Sequence, residues 1–138
     1  MRWRPHRPKP PELSRCRAEV RRILEILDDA TATGNEHRLS EGFGGDALRE
    51  VGSRLRTYRT AGISVSPFRE SLQIHVDEEG LEGGARVSLR YRDRTSFLAS
   101  GGRPATADQA VQLTLWLDMR RDPWVVRALR EEVPGPAA

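Results

Sequence analysis

Apolar residues recur along the chain with two different periods, and the change from one to the other divides it. From Leu13 onward Cys16, Val20, Ile23, Leu24, Leu27 and Ala30 fall at i, i+4, i+7, i+8, i+11 and i+14, the stripe of a helix that packs by one face. Arg15, Arg17, Arg21, Arg22 and Asp28 occupy the other turns, and Gly34 and Asn35 are stop signals. Residues 31–46 are rich in Gly, Thr and Ser and read as a loop or at most a broken turn. A second helix is expected from Asp46, whose carboxylate is placed to cap it. It carries Ala47, Leu48, Val51, Leu55 and Tyr58 at helical spacing and ends at Gly62.

After Gly62 the period drops to two and stays there, so the rest of the chain is expected to be sheet. ISVSPF (63–68) and ESLQIHVD (70–77) read as extended, with Pro67 marking an edge or a bend. In the second of these Leu72, Ile74 and Val76 share one face, opposite Gln73 and His75. A glycine-rich turn leads to ARVSLRYRDRTSF (85–97), read as one long strand, with Val87, Leu89, Tyr91, Thr95 and Phe97 alternating against Ser88, Arg90, Arg92, Arg94 and Ser96. GGRPATAD is a polar connection. AVQLTLWLDM sets Val111, Leu113, Leu115, Leu117 and Met119 against Gln112, Thr114, Trp116 and Asp118; RRDP turns the chain and WVVRALREE closes it. Helices followed by an antiparallel meander with one apolar face imply an α+β domain: N-terminal helices packed on one face of a curved, cone-like antiparallel sheet.

With 138 residues and 15.6 kDa there is room for one ordinary domain. The expected organisation is a basic, proline-rich arm over residues 1–12, carrying Trp3, one α+β domain over 13–132, and a frayed tail over 133–138. Hydrophobic residues at 37%, charged residues at 31% and a mean hydropathy of -0.62 describe a polar globular chain. No run approaches the roughly 18 apolar residues of a spanning helix, and the basic N-terminus runs into prolines rather than a signal-peptide core. A cytoplasmic protein is the expectation. A single cysteine, Cys16, and the scattered His6, His37 and His75 give neither a disulfide nor a metal ligand set. Neither metal nor cofactor is expected.

The net charge of +3 hides a gradient. Residues 1–22 hold eight basic groups against Glu12 and Glu19, so residues 2–22 form a basic entry segment with weak affinity for an anionic surface. The absence of interleaved aromatics there argues against nucleic acid. GFGGD (42–46) and GLEGG (80–84) lack the strand context and the GK[ST] ending of a phosphate loop, and no GxSxG nucleophile turn occurs.

The stretches LREVGSRLRTYRTAG, ARVSLRYRDRT, VQLTLWLDM and DPWVVRALREE together resemble the nuclear transport factor 2-like superfamily, and within it the C-terminal domain of the mitochondrial import-motor tether and its bacterial relatives. The likeness spans about residues 13–132. It implies a cone-shaped α+β fold and a sheet face that mediates dimers. Two departures stand out: residues 31–46 replace an extra helix of many relatives, and the Asp/His pair in the pocket of small polyketide-cyclase relatives has no clear counterpart.

Two candidate sites follow. A pocket between helices and sheet is expected to be lined by Leu72, Ile74, Leu89, Tyr91, Leu113 and Leu115. Asp93, on the parity of Tyr91, is placed to reach its mouth as a general base, unless it pairs along the strand with Arg90, Arg92 and Arg94. The outward sheet face gathers Gln73, His75, Ser88, Arg90, Arg92, Gln112, Thr114 and Trp116, the composition of a protein interface. The expectation is a non-catalytic binding or scaffold domain. Its interface residues are Trp116, Arg90, Arg92, Gln112, Thr114 and His75, and its partner is a protein such as a second copy. The rival is a small isomerase or polyketide-cyclase-like enzyme with Asp93 as base and Tyr91 as hydrogen-bond donor.

Overall fold

Helix α1 (Leu13–Thr33) buries Cys16, Val20, Ile23, Leu24, Ile26 and Ala30 and ends at Gly34, whose φ of 72° supplies the left-handed C-cap. The computed structural model describes residues 12–77 and 81–134. The expected arm up to residue 11, Trp3 included, most of the expected tail and the first three residues of the glycine-rich turn lie outside those residues. Helix α2 (Gly45–Thr60) buries Ala47, Val51, Gly52 and Leu55. Gly44 stands at its N-cap and no side chain caps it. Asp46 sits instead in the first turn, where it pairs with Arg49 and faces the positive end of the helix dipole.

Between the helices the expected loop contains a six-residue 3-10 helix, Glu36–Glu41. It drops Leu39 into the core with no exposed surface. Phe43, buried behind it, bridges to Val126, with Gly44 N–H donating to Val126 C=O at 2.9 Å and Val126 N–H to Gly42 C=O at 2.8 Å. One apolar residue per short turn has no periodicity to detect, which is why the sequence pattern suggests only a loop.

The strands are β1 (Ile63–Ser66), β2 (Arg69–Val76), β3 (Gly84–Asp93), β4 (Ser96–Ala99), β5 (Ala105–Thr106), β6 (Gln109–Asp118) and β7 (Val125–Glu132). They form an antiparallel four-stranded sheet in the order β2-β3-β6-β7 and a three-stranded sheet β1-β4-β5. The expected long strand 85–97 is therefore two strands in different sheets. Asp93 breaks it: its Oδ1 accepts the Thr95 N–H at 3.0 Å, and Arg94 N–H turns to Phe68 C=O. Alternation survives the turn, since Thr95 and Phe97 still face inward to the same cavity as Tyr91.

A second irregularity falls in β2. Glu70 pairs with Arg92 but Gln73 with Arg90, so one residue is extra and the strand bulges, with Ser71 at a φ of 56°. The bulge rotates Leu72 off the inner face to 37% exposure. One hydrophobic cluster runs from Cys16 through Leu39, Val51, Val87 and Leu115 to Val126 and joins both helices to the four-stranded sheet. Cys16 is wholly buried within it, and burial pushes its thiol up, so it is a small core hydrophobe rather than a nucleophile.

Arg22 fastens this architecture from outside, donating to Glu41 C=O at 3.0 Å and Trp124 C=O at 2.6 Å. Arg15 stacks over the Trp124 ring at 4.7 Å. Two arginines of the basic segment are thus engaged in structural contacts. Among the described residues no helix is long and apolar enough to cross a membrane.

Candidate functional site

A cavity of about 420 Å³ opens between the two helices and the inner sheet faces. Its floor is the buried Val51, Leu55, Val65 and Leu113, and its mouth carries the exposed Arg54, Gln109 and Glu131. Of the expected lining, Tyr91 and Leu113 take part. Leu89 and Leu115 are packed in the core instead, Leu72 is turned outward by the bulge, and Ile74 packs against the core nearer the opposite end of the strand.

The charged heart of the cavity is a pair that the sequence pattern does not announce. Arg69 of β2 donates through Nη1 to both oxygens of Asp28 on α1, at 2.6 and 2.8 Å. Its guanidinium lies 5.3 Å from the centre of the Tyr91 ring. Burial opposes the Arg69 charge, but the Asp28 carboxylate and then the Tyr91 hydroxyl outweigh it and hold its proton more tightly than usual. Burial pushes the Tyr91 hydroxyl up against the lowering effect of Arg69, so at neutral pH it is a protonated donor.

Asp93 also lines the cavity, and the expected pairing with neighbouring arginines does not occur. Arg92 pairs with Asp108 on the rim, Arg94 reaches Asp108 at 3.6 Å and Glu70 at 3.9 Å, and Arg90 forms no ion pair among the described residues. Asp93 and Tyr91, the two rival candidates, are thus brought to one cavity. Among the described residues no three His, Cys, Asp or Glu side chains converge to hold a metal ion.

The outer face of the four-stranded sheet forms the second candidate. Pairing aligns Gln73, Arg90, Gln112 and Glu132 in one row, His75, Ser88, Thr114 and Arg130 in the next, and Arg86, Trp116 and Ala128 beyond. A shallow polar groove of about 450 Å³ runs along Gln73, His75, Ser88, Arg90 and Gln112. His75, Arg90 and Arg92 are exposed, Gln112 and Trp116 half-buried, and Thr114 is buried at 6%. Three of the arginines are already matched: Arg86 with Asp77, Arg92 with Asp108, and Arg130 with Glu132 at 3.0 Å.

By sequence the chain matches no protein-family model and no curated protein. By structure it is similar to the intermembrane space region of the chloroplast protein ARC6, with a TM-score of 0.68 at 13% identity over 90% of this chain and 100% of that one. A Caulobacter vibrioides protein described as having a cystatin-like fold superposes with a TM-score of 0.57 at 12% identity, over 87% of this chain and 90% of the other. The fold is cystatin-like. A Xanthomonas campestris structure described as a calcium/calmodulin dependent protein kinase II association domain superposes with a TM-score of 0.52 at 13% identity over 86% and 88% of the two chains. The expected cone of helices on a curved antiparallel sheet is met at this level. Identities this low carry the cystatin-like fold and no activity.

Proposed function

We propose that this chain is a non-catalytic binding domain that pairs with a second copy of itself through the outer face of the four-stranded sheet. The observation that carries this reading is the row Arg90–Gln112–Glu132, which crosses β3, β6 and β7 at one level. A two-fold axis lying along β6 sets Arg90 against the partner's Glu132 and Gln112 against the partner's Gln112, a self-complementary amide pair. In the row two levels away it brings the two Trp116 rings together. Glu132 engages Arg130 at 3.0 Å, and its carboxylate has further lone pairs to accept from the partner's Arg90. Arg86 and Arg92 are matched within the face by Asp77 and Asp108, so these two add little repulsion when two copies mate. The likeness of its strands to the import-motor tether domain, and a structural neighbour described as an association domain, support the same reading.

Sedimentation equilibrium tests it. The wild type is expected to dimerise in the micromolar range, and Trp116→Ala to weaken the dimer by about 2 kcal/mol if the ring is an interface anchor. A wild type that stays monomeric at high micromolar concentration contradicts the reading.

A second reading, a small isomerase or cyclase with Asp93 as base and Tyr91 as donor, draws on one observation: both side chains line the 420 Å³ cavity. Turnover of a ketone or enolisable ester that is lost in Asp93→Asn with the fold intact would favour it over the binding domain.

A further inference from the structure

Charge is not balanced inside the cavity, and the imbalance selects a ligand chemistry. Among the described residues five charged side chains line it: Asp28, Arg54, Arg69, Asp93 and Glu131. Four of them cancel in pairs, Asp28 with Arg69 at 2.6 Å and Arg54 with Glu131 at 3.4 Å. Asp93 remains. Its Oδ1 accepts the Thr95 N–H, its Oδ2 accepts no hydrogen bond from the described residues, and no cation pairs with it there.

From this we infer that the cavity binds a small apolar molecule carrying a protonated amine, with the ammonium group on Asp93. A carboxylate walled by apolar side chains attracts a cation more strongly than one in open water, because the field is less screened. The walls suit the rest of such a molecule: Leu55, Val65 and Leu113 offer aliphatic surface, and Tyr58 and Phe97 form a tilted aromatic pair 5.8 Å apart. The side-chain oxygen of Gln109, the residue paired with Asp93 across β3 and β6, supplies a second acceptor for a group with three donors.

An anion finds no comparable seat. To bind one, Arg69 must give up the Nη1 contact with both Asp28 oxygens or its interaction with the Tyr91 hydroxyl, and its Nε is buried beyond reach of a ligand. The other cation, Arg54, faces Glu131 at the solvent-exposed mouth. This inference uses the inner side of the sheet and needs no turnover, so it stands apart from dimerisation through the outer side.

The test is a matched set of probes, phenylbutylamine, phenylbutanol and phenylbutyrate, titrated into ¹⁵N-labelled full-length protein at neutral pH and followed by amide shifts. The amine should bind at least about ten-fold more tightly than the alcohol, a difference of the size one weakly screened ion pair supplies, and the butyrate more weakly than both. The shifts should centre on Tyr91, Gln109 and Leu113. In Asp93→Asn, whose amide oxygen can keep the Thr95 contact, the amine should fall to the affinity of the alcohol while the alcohol is unchanged. Ala107→Trp, which narrows the mouth and retains Asp93, should weaken both and serves if Asp93→Asn fails to fold. The inference is overturned if the butyrate binds as well as the amine, if Asp93→Asn leaves the amine's advantage intact, or if no probe moves cavity resonances at millimolar concentration.

Discussion

Arg69 lies directly opposite Asp93 in the β2–β3 ladder, yet its guanidinium turns away from that neighbour and closes on Asp28 of α1. The choice locks the last third of α1 to the bulged strand and leaves Asp93 as a cavity charge that no described residue matches. Arg69 is 14% exposed in its side chain and Asp28 38%, so the arginine stands to lose most if the pair is broken.

Asp28→Asn should therefore destabilise the fold by about 2 kcal/mol, less than for a fully buried pair because solvent screens the Asp28 side. Replacing both partners with apolar residues, Asp28→Leu with Arg69→Met, should recover much of that loss, since no charge is then left buried. Urea denaturation of the three proteins checks this. A double variant weaker than Asp28→Asn would show that the pair contributes more than its own neutralisation.

A pH-dependent contribution to stability comes from Asp118. Its side chain is 5% exposed on the outer sheet face, accepting from Arg120 and from Arg127 Nε at 3.1 Å. The Arg120 side chain, then its backbone N–H and the Arg127 side chain, hold the Asp118 carboxyl at about 2 against an ordinary 3.8, although burial works the other way. A depressed folded value means stabilisation that is fully present above the ordinary value and is lost as pH falls from about 4 to about 2. Thermal melts over that window should show wild type losing stability faster than Asp118→Asn. Parallel profiles would mean that the arginines stay in solvent.

We propose residues 13–132 as the folding unit, because α1 enters the core at Cys16 and, among the described residues, the cluster closes without any residue before it. Deleting residues 1–10 should leave the melting temperature within a few degrees. A much larger drop would place Trp3 in a contact that the fold requires.

The parts of the structure that can be read from sequence are those governed by a steady period. Cys16, Val20, Ile23 and Leu24 mark the buried face of α1, and Arg90, Gln112 and Trp116 mark the outer face of the sheet, because neither run is interrupted. Legibility fails where the backbone departs from its period without a glycine or proline to signal it. Ser71 enters the left-handed region as a non-glycine residue, which turns Leu72 outward. Asp93 ends β3 through its own side chain while leaving alternation intact. The cavity's main ion pair joins residues 41 positions apart, and nothing local to Asp28, on the polar side of α1, indicates the arginine it will meet. The pairing of Arg90 with the level of Glu132 is likewise fixed by register across three strands rather than by spacing along one.

That register offers the most direct test of self-association, by charge reversal measured in sedimentation equilibrium. Arg90→Glu and Glu132→Arg each place like charges across the proposed two-fold and should weaken the dimer at least about ten-fold, a cost of about 1.4 kcal/mol. The double variant Arg90→Glu/Glu132→Arg restores opposite charges with their positions exchanged and should return the dimer to within a few-fold of wild type. A double variant as weak as the single ones, or single variants that dimerise like wild type, would contradict pairing through this face.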